Sequence, residues 1–233
     1  MTARDNQEIK DVATATIRTG GAGVVVGTVM VAIVSGLYAA SPAAATLPVV
    51  AARLPEALEA LHASDGAQLW WIGVMGLTGD TIFAVAAMMV SFGLVLRGQP
   101  IQAAGWLGIA LSNIIFVGVD ALVGRTFVNA ASISSSQAGF VAAKALSDAL
   151  FISGTFAFGA GTLLLFAPAL SRSGSLPSRA ISLLGSAIGL FGAVGALICL
   201  LGANAGQLLG LAIAAGSAIF LITGLRAAMR GVV

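Results

Sequence analysis

Residues 69–97 read LWWIGVMGLTGDTIFAVAAMMVSFGLVLR. Crossing a bilayer takes about 20 apolar residues, and this run exceeds that. Trp70 and Trp71 mark one end and Arg97 the other, with Asp80 the one ionisable residue between them. In hydrocarbon every backbone N–H and C=O needs an internal partner, so the stretch predicts a transmembrane helix. It is long enough to tilt or to extend into the interface.

The rest of the chain agrees with that solvent. Of 233 residues, 58% are hydrophobic and 9% charged, with mean hydropathy +1.03. A soluble domain carries about 25% charged residues, so a hydrophilic enzyme, a disordered chain and a nucleic-acid binder are excluded. Working outward from 69–97, further spans are expected at 19–40, 101–124, 145–169, 179–202 and 205–226. None of these segments alternates as barrel strands do. The expected fold is all-α, a polytopic bundle of six transmembrane helices. Residues 1–18 form an N-terminal tail, 19–226 the membrane domain with a long loop at 41–68, and 227–233 a C-terminal tail. Ser41-Pro42-Ala43-Ala44-Ala45 resembles a signal-peptide cleavage site, but the preceding apolar run is too long for one and a retained helix is expected. In the loop, Pro55 suits a helix start, and Leu54, Leu58 and Leu61 share one face away from Glu56, Glu59 and His62. Residues 53–63 therefore predict a short amphipathic helix on the outer surface.

Orientation follows from Lys and Arg near the span ends. Arg4, Lys10, Arg18, Arg97, Arg172, Arg179, Arg226 and Arg230 fall on the side of the termini. Only Arg53, Arg125 and Lys144 fall on the other. Both termini are therefore expected in the cytoplasm. Apart from Asp5, Glu8 and Asp11 in the N-terminal tail, the acidic residues all map to the outer half.

Asp80 is the most informative of them. A carboxylate inside a span is costly unless paired, solvated or protonated, so it is expected to face the bundle interior. It belongs to a small-residue stripe, Gly73, Gly76, Asp80, Ala84, Ala87 and Ser91, which permits close helix approach. At 1.5 Å per residue Asp80 lies about 26 Å before Arg97, and Asp120 lies about 28 Å after Ile101 in the opposite sense. A tight turn joins the two spans, so both carboxyls are expected at similar depth, where they could share a proton. Asn113 shares the face of Asp120. Span four enters from the same side with Lys144 and Asp148 at i, i+4. Two readings follow for Asp80, Asn113, Asp120, Lys144, Asp148 and Arg125. They line an outward-opening polar pocket among spans two, three and four, or they form an ion-pair network that holds those helices in register.

Known chemistries find little to use. Gly79-Asp80 lacks the first glycine of the Gly-x-Gly-Asp motif of intramembrane aspartyl proteases. The one His, His62, is expected on the loop helix and cannot serve a buried serine. Paired Asp clusters for Mg²⁺ are missing, and one Cys (Cys199) with one His makes a metal site or bis-histidine haem unexpected. No cofactor is expected. Gly23 with Gly27, Gly185 with Gly189 and Gly206 with Gly210 predict close packing inside the bundle or an interface with a second copy or a protein partner.

Ala63-Ser64-Asp65-Gly66 followed by the mid-helix Asp80, and Arg172-Ser173-Gly174-Ser175-Leu176-Pro177 before span five, resemble an uncharacterised class of bacterial six-helix integral membrane proteins. The resemblance implies this architecture and carries no activity with it. Three functions remain as expectations. The first is a non-enzymatic protein that binds a membrane lipid, small amphiphile or pigment, or serves as an accessory subunit. The second is a proton-coupled transporter using Asp80 and Asp120. The third is a membrane-embedded hydrolase or isomerase.

Overall fold

The computed structural model describes residues 3–46, 54–129, 137–170, 176–203 and 206–231. Arg53, Arg172 and residues 173–175 of the second motif lie outside them. Among the described residues the chain is all helix: α1 (Ala3–Ala39), a 3₁₀ turn (Pro42–Thr46), α2 (Leu54–His62), α3 (Gly66–Leu96), α4 (Pro100–Ala121) continued by a π-turn (Leu122–Phe127), α5 (Gln137–Leu170), α6 (Leu176–Leu200) and α7 (Gly206–Arg230). All but α2 contain a segment long and apolar enough to cross a membrane, the architecture of a multi-pass membrane protein.

Local chemistry sets the joints. The Asp65 carboxylate accepts the Ala67 N–H at 2.9 Å and caps α3. At the other end Gly98 takes φ +68°, and the N–H groups of Gly98 and Gln99 return to the carbonyls of Val95 and Leu94. A residue with a Cβ is disfavoured there, and Pro100 in the next turn starts α4. This hairpin fixes the relative depth of α3 and α4.

The expected N-terminal tail differs in form. Helix α1 runs unbroken from Ala3, because Ala13 and Ile17 bury completely and Ile17 packs over Gly93 of α3. Arg97 ties this end together, donating to the Gly231 carbonyl and to Thr14 Oγ1, each at 2.6 Å. Helix α2 matches its amphipathic pattern. Ala57 and Leu61 are buried in one cluster with Ala43, Leu69, Phe127 and Phe140, while Glu56, Glu59 and His62 are exposed.

The six long helices form a ring in chain order, each packed on the next, with α7 closing against α1. Glycine makes these contacts close. Gly23 and Gly27 of α1 face Ala86 and Phe83 of α3, Gly161 of α5 meets the backbone of Gly105 and Ile109 in α4, and Gly189 of α6 meets the backbone of Gly159 in α5. Large apolar side chains such as Leu183, Leu190, Leu211 and Met229 point outward, as they must in lipid. Two ends can be told apart. The terminal end carries both chain termini and the α3–α4 turn. The distal end carries α2, and Trp70 and Trp71 are exposed there with their rings edge to face at 4.7 Å, suited to an interfacial belt.

Inside the ring, the terminal half is filled. Phe220 of α7 is wholly buried, with the rings of Phe83, Trp106, Phe158 and Phe166 around it at centroid distances of 5.5–6.3 Å. Edge-to-face packing of this kind adds about 0.5–1.5 kcal/mol per pair. The distal half of the ring is not filled.

Candidate functional site

A cavity of about 680 Å³ occupies the distal half, walled by α1, α3, α4 with its π-turn, α5 and α7. That is within the 300–1,000 Å³ of small-molecule sites. Phe83, Phe158 and Phe220 form its floor, and they belong to the aromatic cluster that fills the terminal half. The walls are otherwise mostly Val, Ile, Ala, Gly and Phe. Among the described residues no Lys or Arg lines it.

The carboxyls of Asp80 and Asp120 meet in this wall. Their α3–α4 contact is made possible by the glycines of the stripe. Gly73 packs directly on the backbone of Gly124 and Asp120, and a Cβ on Gly76 would collide with the Asp120 carboxyl. The carboxyl of Asp120 thus occupies the notch left by Gly76, one turn from Asp80. The two carboxyls lie side by side in the cavity wall. Side by side, two carboxyl groups can share a single proton. Each also keeps one oxygen, Oδ1 of Asp80 and Oδ2 of Asp120, buried with no hydrogen-bond partner. Asp80 is 5% exposed. Buried polar atoms without partners are rare enough to need a reason.

Three other polar side chains in the wall have partners. Asn113 is buried and donates from Nδ2 to the Ile109 carbonyl at 2.8 Å. Ser217 donates to the Ile213 carbonyl at 3.0 Å, and Tyr38 donates to the Ala43 carbonyl at 2.8 Å near the distal rim.

The six residues singled out in the sequence therefore separate. Asp80, Asn113 and Asp120 share the cavity wall. Lys144 is buried and ion-paired to Asp148 on its own helix. It shares a stripe with Phe151 and Phe158, the α5 residues that do line the cavity, but lies two turns, about 10 Å, further towards the distal end. Arg125 is exposed on the π-turn. Sequence reasoning confined the pocket to spans two, three and four, and missed α1 and α7. Ser35 and Tyr38 of α1 and Gly210 and Ser217 of α7 complete the enclosure. Of the glycine pairs, the first two are engaged inside the bundle. Gly206 and Gly210 line the cavity instead.

Among the described residues no three His, Cys, Asp or Glu side chains converge as a metal site would require. Compared with known family models, curated proteins and solved structures, the chain matches none.

Proposed function

We propose that this chain is a non-enzymatic integral membrane protein that holds a small amphiphile in its distal cavity, alone or as a subunit of a larger membrane complex. One observation carries the reading: a ligand-sized, largely apolar cavity whose wall holds two carboxyl oxygens without partners. An apolar body with a polar end is the shape of molecule that such a wall complements. The excess of Lys and Arg at the terminal end supports an orientation with both termini in the cytoplasm of a bacterial inner membrane, so that the cavity belongs to the outer leaflet. Fusions of a compartment-sensitive reporter to the C-terminus test that orientation, and activity only outside the cytoplasm would reverse it.

Native mass spectrometry of the protein, gently extracted from its own membrane, tests the binding reading. A small molecule retained at fixed stoichiometry is the expected result. Protein that retains nothing, and binds no lipid or amphiphile added back, would overturn it.

A second reading is favoured by the Asp80–Asp120 pair itself, which could load and release a proton for a coupled carrier. It requires passage through the aromatic floor, where Phe220 and Trp106 are wholly buried. Proteoliposomes carrying a pH gradient should show no proton flux attributable to the protein. A flux lost in Asp80→Asn would favour the carrier.

A further inference from the structure

The wall of the cavity is not equally closed on all sides. Helices α1 and α7 touch tightly in the terminal half, where Gly21 meets Ala227 and Ala228 and Gly224 meets Val24 and Val25. In the distal half they part. Gly36 of α1 and Gly210 of α7 both line the cavity, and a Cβ on either would find nothing within 4 Å. Ala32, Ser35 and Ala214 line the cavity too and are exposed. The parted lips extend about two turns, some 10 Å, down from the distal ends of the two spans. They face the lipid at the depth where an amphiphile's head and upper chain reside.

Charge then selects the head group. A carboxyl pair that shares one proton carries one negative charge. No Lys or Arg among the described residues lines the cavity to balance it, and Lys144 is engaged with Asp148. Buried charges in proteins are paired as a rule. In that state the unpartnered oxygens of Asp80 and Asp120 accept hydrogen bonds. The complementary group is a single cation with N–H donors.

We infer that the cavity takes an amphiphilic monocation, an amine head on one apolar chain, which enters sideways from the lipid between the distal halves of α1 and α7. The amine meets the Asp80–Asp120 pair, and the chain lies along the apolar wall towards the Gly36 and Gly210 lips. The inference rests on the amphiphile-binding reading, and adds to it a head-group chemistry and a route.

Dodecylamine, 1-dodecanol and dodecanoate, matched in chain length, are titrated into the full-length protein in a non-ionic detergent and followed by native mass spectrometry. Wild-type protein should take up one dodecylamine, with affinity at least about tenfold above that for dodecanol, and should reject dodecanoate. The Asp80→Asn/Asp120→Asn double variant should bind amine and alcohol alike. Gly210→Trp, which builds into open space, should lose both ligands while keeping its melting temperature. Gly36→Trp on the opposite lip serves if the first variant folds poorly. Equal binding of amine and alcohol by wild type, or preference for dodecanoate, overturns the cation while leaving amphiphile binding intact. Unchanged binding in a folded lip variant overturns the route. No uptake of any probe overturns both this inference and the function on which it rests.

Discussion

The two halves of the ring are built from the same six helices and do opposite things with them. In the terminal half the helices approach over glycine, Arg97 clamps α1 and α7 at the end, and five aromatic rings fill the centre. In the distal half α1 and α7 part, the centre is a cavity, and the polar groups that face it are incompletely satisfied. Lipid is as apolar as a Leu side chain, so burying apolar surface drives the association of membrane helices little. Packing and hydrogen bonds must supply it. In the terminal half they fill the centre of the ring, whereas in the distal half contacts such as Gly73 on Gly124 lie in the wall. A binding site placed in the terminal half would weaken the assembly directly. Placed in the distal half, it leaves the clamp untouched.

Substitutions can break that contrast. The largest effect is expected at Gly161, where a Cβ would lie 2.8 Å from the Gly105 carbonyl oxygen and from the Ile109 nitrogen. Both neighbours are backbone and cannot yield, so Gly161→Leu should cost more than about 4 kcal/mol and leave little folded protein in detergent. Next comes a matched pair of phenylalanines. Phe220→Ala removes the ring at the centre of the aromatic cluster and should cost about 3 kcal/mol in a reversible unfolding titration. Phe151→Ala enlarges a cavity that already exists and should cost about 1 kcal/mol. Equal losses at the two sites would mean that the halves are not energetically distinct.

The third effect belongs to the distal half but not to the cavity. Asp148→Asn leaves the Lys144 ammonium buried without its counter-ion, and should destabilise by about 2 kcal/mol. Lys144→Met combined with Asp148→Leu should recover most of the loss, since an apolar pair removes both the charge and its need. A double variant no better than Asp148→Asn alone would show that the cost lies in packing.

Each half was legible only in part. Span positions, the α3–α4 hairpin and the amphipathic α2 follow from hydropathy, Gly98-Gln99-Pro100 and the spacing of Leu54, Leu58 and Leu61. The aromatic centre does not, because Phe83, Trp106, Phe158, Phe166 and Phe220 come from four helices, and within any one helix they form no pattern. Depth along a helix can be counted from a tight turn, and it set Asp80 level with Asp120. The same counting does not say how far apart two helices stand. Lys144 and Asp148 were therefore grouped with a cavity whose wall begins two turns below Lys144. The lips on α1 and α7 had no chemical signature at all. Their residues are Ala, Gly and Ser, the same types that elsewhere in the chain mark close contact. Gly210 and Gly185 look alike in sequence. One faces open space and the other packs on Phe166.

The smallest expected effect is the most discriminating. Asp80→Asn keeps the shape of the side chain and supplies an N–H in place of a shared proton, so Asp120 has a donor beside it and can carry the single negative charge. Stability should stay within about 0.5 kcal/mol of wild type, and dodecylamine should bind as before, because the site can still carry one negative charge, on Asp120. Asp80→Leu differs only in offering no donor, and it should cost about 1–3 kcal/mol by leaving Asp120 without a partner. If Asp80→Asn instead lost as much stability as Asp148→Asn, Asp80 would be anchoring a cation across the helices. The ion-pair network inferred from sequence would then be the better account of these carboxyls.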